Sequence, residues 1–173
     1  MKKPTLLLTT ACSVLAIIGI VLNNPDGIRT SQQGLALIGD AEGCRRDPYY
    51  CPANVLTVGI GSSAINSKID IKKKLTDEEI AERWKADLKI AEQCVNKYAN
   101  GEKLPQGAFE SAVSITFNVG CGKMRYSTLF KYARQGNIKA MCNQFTRWIY
   151  IGNKPSNGLK QRREKERQLC LHS

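Results

Sequence analysis

Residues 42 to 61 read E-G-C-R-R-D-P-Y-Y-C-P-A-N-V-L-T-V-G-I-G, and they hold the groups best placed for chemistry. Glu42 ends a helix-like apolar pattern and is followed at once by Gly43, a residue that often stops helices. A turn-rich segment with Asp47, Pro48 and Pro52 comes next. Thr57 then sits in a short β-rich run, V-L-T-V-G-I-G, closed by Gly59 and Gly61. A carboxyl is thus carried on one wall and a hydroxyl on a facing strand. Glycoside hydrolysis uses such a pair, one carboxylic acid to protonate the leaving oxygen and a second group to activate or replace water. An unperturbed Glu has a pKa of ~4.3, so Glu42 as a general acid needs a cleft that raises it by desolvation.

The stretch resembles the phage lysozymes (endolysins), which carry a Glu in an E-G context, an Asp nine residues later and a Thr six after that. Here the spacing is Glu42, Cys51, Thr57, with T-x-G-I-G following and a cysteine where the family has its Asp. The likeness continues in T-F-N-V-G-C-G (116–122), S-T-L (127–129), R-W (147–148) and G-L-K-Q-R-R-E-K-E (158–166), and spans roughly residues 30 to 171. It is nearest to endolysins with an N-terminal membrane anchor that is released from the bilayer and a cysteine in place of the Asp. The resemblance implies a two-lobe α+β fold, mostly helical, with a small β-hairpin lobe and a larger helical lobe. It implies cleavage of the β-1,4 bond between N-acetylmuramic acid and N-acetylglucosamine of peptidoglycan, in host lysis. It casts Glu42 as the acid and Cys51 with Thr57 as the group that places or activates water. It also offers Asn118 as a sugar contact and Arg162 or Arg163 as support behind the cleft. A thiolate at position 51 can serve as anion, base or nucleophile. A free thiol titrates near ~8.5, so ionisation asks for positive neighbours, and Arg45 and Arg46 are near in sequence. Cys51 can also be read as a half-cystine paired with Cys44, a bond that would switch the enzyme off. A competing reading of the whole chain is a non-enzymatic, membrane-tethered wall-binding protein in which Cys51 marks a degenerate site.

Behind these residues stand the elements that must position them. Ser31 can cap a helix through Gly43, with Leu35, Ile38 and Ala41 on one face. Residues 55–60 read as a strand, paired with another near 64–71. Thr76 and Glu79 form a capping box for a helix whose Ile80, Trp84, Leu88, Ala91 and Val95 recur at core spacing. Residues 106–118 suit a buried helix, and 127–135, 137–151 and 157–169 read as further helices. The run 162–167 reads as a solvated helix face with i,i+4 partners.

The chain has 173 residues and a formal charge of +11, which favours an anionic partner without choosing one. No nucleic-acid motif is visible and aromatics are few, so nucleic acid is set aside. Seven cysteines point to an oxidising compartment, and no C-x-x-C pair or histidine cluster supports a metal site. No cofactor is called for.

Cys142 and Cys170, on the last two helices, are expected to pair, which leaves Cys94 with Cys121. The pairings 94–142 with 121–170, and 94–170 with 121–142, stay open. Cys12, Cys44 and Cys51 remain, and three thiols form only one bond at a time.

Residues 5–22 run 18 residues without a charge, after Lys2 and Lys3. That reads as an uncleaved signal-anchor with the rest of the chain outside the inner membrane. The expected organisation is an anchor at 1–22, a linker at 23–30 and a monomeric catalytic domain at 31–173, held at the host inner membrane and then released to the periplasm.

Overall fold

A helix of 23 residues, α3 (Asp77–Ala99), is the axis on which the other elements are packed. Thr76 caps it: its hydroxyl accepts from Glu79 N–H at 3.2 Å, and Glu79 accepts in return from Thr76 N–H at 3.0 Å. The apolar stripe Ile80, Trp84, Leu88, Ala91 and Val95 is buried along its length. The computed structural model describes residues 11–51 and 54–172.

Three helices lean on this axis. Helix α1 (Val14–Asn23) buries Ile17, Ile18 and Val21 against it. Helix α2 (Gln32–Glu42) starts at the Ser31 cap, ends at Gly43 and buries Leu35 and Ile38; Ala41, expected on the same face, is exposed. Helix α4 (Gln106–Val119) is buried along most of its length, as its small apolar composition predicts. The lobe is completed by α5 (Cys121–Met124), α6 (Thr128–Arg134), α7 (Ile138–Cys142) and α8 (Asn157–Leu171). Disulfides join Cys94 to Cys121 and Cys142 to Cys170 across these helices, and Cys12 to Cys44 across the start of the chain.

The small lobe is a three-stranded antiparallel sheet in the order β1 (Arg45–Tyr50), β2 (Leu56–Gly59), β3 (Ser62–Ser63). Residues 45–50, read from sequence as turns, form a strand instead. Its pairing with β2 shifts register between Arg45 and Tyr49, so an irregularity accommodates Pro48, which has no N–H to give a ladder. The partner of β2 is therefore β1, with β3 at 62–63 in place of a strand at 64–71, a segment of turns and loop. The expected helix at 137–151 stops at Cys142. It gives way to a 3-10 turn at Phe145–Arg147 and a two-residue hairpin, β4 (Tyr150–Ile151) with β5 (Lys154–Pro155).

The N-terminal region departs most from its sequence reading. Helix α1 is part of the core here, and Val14 packs 2.5 Å from where a Cβ on Gly39 would stand, so the two helices meet this closely only because residue 39 is glycine. The segment read as a linker is tied down. Lys85 Nζ donates to Asn24 O at 3.0 Å, and buried Glu92 accepts from the N–H groups of Arg29 and Thr30. No helix among the described residues is long and apolar enough to cross a membrane, and residues 5–10 of the apolar run lie outside the described residues.

Candidate active site

Glu42 is the last residue of α2, and its side chain is 20% exposed where the two lobes meet. The carboxyl is held from two sides. Arg162 Nη1 donates to its Oε1 at 2.6 Å. Its Oε2 lies 2.9 Å from where a Cβ on Gly61 would stand, and Gly61 has φ +69°, so the turn closing T-V-G-I-G needs glycine for both space and backbone.

Arg162 is itself part of a buried cluster. The run 162–167 is not a solvated face: Arg162, Arg163 and Glu166 are all buried. Glu166 Oε1 accepts from Ser114 Oγ at 2.6 Å, Arg163 Nη2 at 3.1 Å and Arg162 Nε at 3.2 Å. Glu166 Oε2 lies 2.8 Å from Arg163 Nε. Arg162 Nη2 also donates to Ser114 O at 3.2 Å. Two guanidinium groups and two carboxylates thus share one site, so no net charge is buried. Burial pulls Arg163 down to about 10, against the pull of Glu166, and it stays charged at neutral pH. Burial pushes Glu166 up, and the two arginines and Ser114 oppose it.

Asn118 stands exposed at the end of α4, and its Oδ1 accepts from Arg163 Nη2 at 3.1 Å. That bond fixes the amide orientation and leaves Nδ2 as a donor toward solvent. Asn118, Glu42 and Arg162 line one cavity of about 810 Å³, with Ile151 and Ser156 from the β4–β5 side.

The β ribbon brings the remaining groups. Tyr49 pairs with Thr57 across β1 and β2, and Cys51 follows two residues after Tyr49, so all three share one face of the ribbon. Cys51 N–H donates to Val55 O at 3.0 Å, which fixes the start of the hairpin turn. Thr57 Oγ1 donates to Val55 O at 3.0 Å, so the oxygen keeps its lone pairs to accept from a water. Burial raises the Tyr49 phenol, and the charges of Glu42 and Cys51 add to this while Arg45 opposes it. Cys51 is half-buried and takes no part in the three disulfides, because Cys44 is bonded to Cys12.

Sequence reasoning passed over Tyr49, Ser114 and Glu166. Their signals were faint: two serines, 111 and 114, within the mostly apolar run 111–117, and an acid four residues after Arg162. A serine inside an apolar helix is a hint of a buried polar partner.

A carboxyl at the end of the helix that leads into a small β sheet, with a thiol and a threonine carried on that sheet, fits a lysozyme-like glycosidase. The comparisons agree. A family model described as phage lysozyme matches residues 39–166. The SAR-endolysin of Escherichia phage P1 is 42% identical over 92% of this chain and 90% of its own, and that of Haemophilus phage HP1 is 37% identical over 92% and 94%. A crystal structure of the active form of the P1 phage endolysin superposes with a TM-score of 0.86, at 41% identity, over 95% of this chain and 96% of that one. The secreted inactive form of the same endolysin gives 0.59, at 43% identity, over 83% and 96%. The chain belongs to the phage lysozyme family and is a peptidoglycan-hydrolysing glycosidase, an endolysin of host lysis.

Proposed function

We propose that Glu42 is the general acid of this hydrolysis, acting on the β-1,4 bond between N-acetylmuramic acid and N-acetylglucosamine. Cys51 and Thr57 place and activate the attacking water from the ribbon side. Asn118 contacts the glycan with its amide N–H, and Arg162 orients Glu42 from behind. The enzyme works as a monomer.

Activity is coupled to the membrane. Residues 1–22 anchor the newly made chain in the host inner membrane, residues 23–30 link it, and residues 31–173 stand in the periplasm. While the anchor is in the bilayer, Cys12 is shielded and Cys44 bonds to Cys51. On release, the Cys12 thiolate attacks Cys44 Sγ, forming the 12–44 bond and expelling Cys51 as a thiolate. One disulfide is exchanged for another, so no outside oxidant or reductant is consumed. The observation that carries this reading is the Cys12–Cys44 bond, which leaves Cys51 as a thiol on the face of Thr57. The burial of Ile17, Ile18 and Val21 supports it, since α1 cannot be in a bilayer and in this core at once.

The test is two-sided. Cys12→Ser is expected to be exported yet inactive unless reductant is added. Cys44→Ser is expected to lyse early, because nothing then caps Cys51. Lysis by Cys12→Ser on the normal schedule, or a released active form still bonded 44–51, would end the proposal.

A further inference from the structure

Between Glu110 and Glu164 the sequence has no acidic residue and ten basic ones. The fold gathers several of these where the C-terminal end of α3 meets α5 and α6, on elements that carry none of Glu42, Cys51 and Thr57. Arg134 donates through Nη1 to Tyr98 O at 2.6 Å, joining α6 to α3. Lys97 lies 5.3 Å from the centre of the Tyr98 ring, and Arg125 lies 4.5 Å from that of Tyr126. Lys97 and then Arg125 draw the Tyr98 phenol below its usual range, as cations converging on one hydroxyl do. Lys131 sits one turn before Arg134 on α6, and all four cations are exposed.

Among the described residues, none of these four cations forms an ion pair with a carboxylate. Beside the β lobe, Arg45, Arg46 and Lys73 meet Asp47, Asp77 and Glu79, while Lys68, Lys72 and Lys74 form no ion pair among the described residues and so make a matched control. A cluster of one sign without counter-ions projects a field that attracts a polyanion. The two tyrosines add flat faces of the kind that receive sugars and peptide planes. Tyr126 is the one large apolar side chain exposed in segments 97–103 and 121–135, so the face lacks the exposed aliphatic side chains that enter a lipid surface.

We propose that this face is a second binding site for the wall polymer, holding the carboxylates of its stem peptides while the cleft works on the glycan. The proposal rests on the peptidoglycan reading above. It keeps the enzyme on its insoluble substrate between cuts, and salt weakens the hold because the cations are exposed.

The test uses the full chain in its released form with Glu42→Gln, so that binding is read without cleavage. One variant carries Lys97→Gln, Arg125→Gln and Lys131→Gln. A control of equal charge loss carries Lys68→Gln, Lys72→Gln and Lys74→Gln on the loop beside the β lobe. Each is sedimented with purified sacculi at low salt. The first variant is expected to bind about tenfold more weakly, three exposed charges each contributing a fraction of a kcal/mol, and the control to stay within about twofold. Sacculi whose carboxylates have been amidated should hold the parent protein as weakly as native sacculi hold the first variant. With Glu42 restored, the first variant should keep its kcat on soluble, uncross-linked strands while its KM rises. Undiminished binding by the first variant overturns the proposal, as does an equal loss in the control. So does retention on phosphatidylglycerol vesicles in place of sacculi. Failure of the unsubstituted chain, with Glu42 and the basic face both intact, to cleave soluble strands would instead strike the hydrolysis reading, and the sedimentation result stands apart from it.

Discussion

In the β lobe and the helix start behind it, several charges find partners close by, as exposed Arg45 does in Asp47 at 2.8 Å. In the helical lobe surface pairs also occur, as between Arg167 and Glu164, but two groups stand at the extremes. Arg162, Arg163 and Glu166 are buried and bonded to one another, while Lys97, Arg125, Lys131 and Arg134 are exposed without a counter-ion among the described residues. The first arrangement is thermodynamically cheap and contributes little. A buried cluster is expensive to desolvate and costly to break, so it serves best as a rigid mount. Glu42 stands at the boundary, and its ion pair reaches to the buried side. The difference teaches that the Glu42 carboxyl is held by the well-packed lobe, while Cys51 and Thr57 sit on or beside a thinner ribbon. The ribbon has only a few buried side chains, Val58 and Ile60 chief among its apolar ones.

The largest effect is expected at the boundary itself. Glu42→Gln should keep the fold and reduce hydrolysis by roughly 10²–10⁴-fold, because an amide cannot donate the proton. Clearing of a peptidoglycan suspension measures it, and near-normal clearing would remove Glu42 from the mechanism.

Next comes the mount. Glu166→Ala leaves two buried guanidinium groups without their shared carboxylate and should cost about 3–5 kcal/mol in denaturant unfolding. In whatever fraction stays folded, kcat should fall more than KM rises, since Arg162 then orients Glu42 less well. A loss of stability below about 1 kcal/mol would mean that the cluster is not the rigid element of the pair.

The helical lobe also depends on its bridges. Replacing Cys142 and Cys170 together by Ala should cost about 2–4 kcal/mol, through the loop the bond closes. Thermal unfolding under non-reducing conditions reads this directly.

The smallest effect belongs to the β side. Arg45→Met removes the exposed pair with Asp47 and should change stability by no more than about 1 kcal/mol. A cost matching that of Glu166→Ala would erase the contrast between the lobes.

The main helices were legible because their signals are local. Capping at Ser31 and Thr76, the stripe from Ile80 to Val95 and the small apolar run of α4 depend on spacing within one segment. The strand at Arg45–Tyr50 was not legible, because its Asp and Pro content speaks for turns and only pairing with β2 overrides it. The helix expected at 137–151 failed similarly: it stops at Cys142, and its last two residues, Tyr150 and Ile151, enter a hairpin that closes on itself. The candidates Glu42, Cys51 and Thr57 stand out by their spacing along the chain, whereas Tyr49 is set opposite Thr57 only by the cross-strand register.

By itself, then, the sequence determined the family spacing of the ribbon, the caps and the apolar periods, all of which act over a few residues. Tertiary structure decided the rest. It brought Arg162 across 120 positions to Glu42, buried the charges of 162–166 that a helical pattern alone leaves in solvent, and set Cys12 on Cys44 so that Cys51 keeps its thiol. The physical reason is one of range. Hydrogen-bonded turns and side-chain periodicity are fixed by neighbours along the chain, but desolvation and ion pairing depend on which distant segments the core brings together.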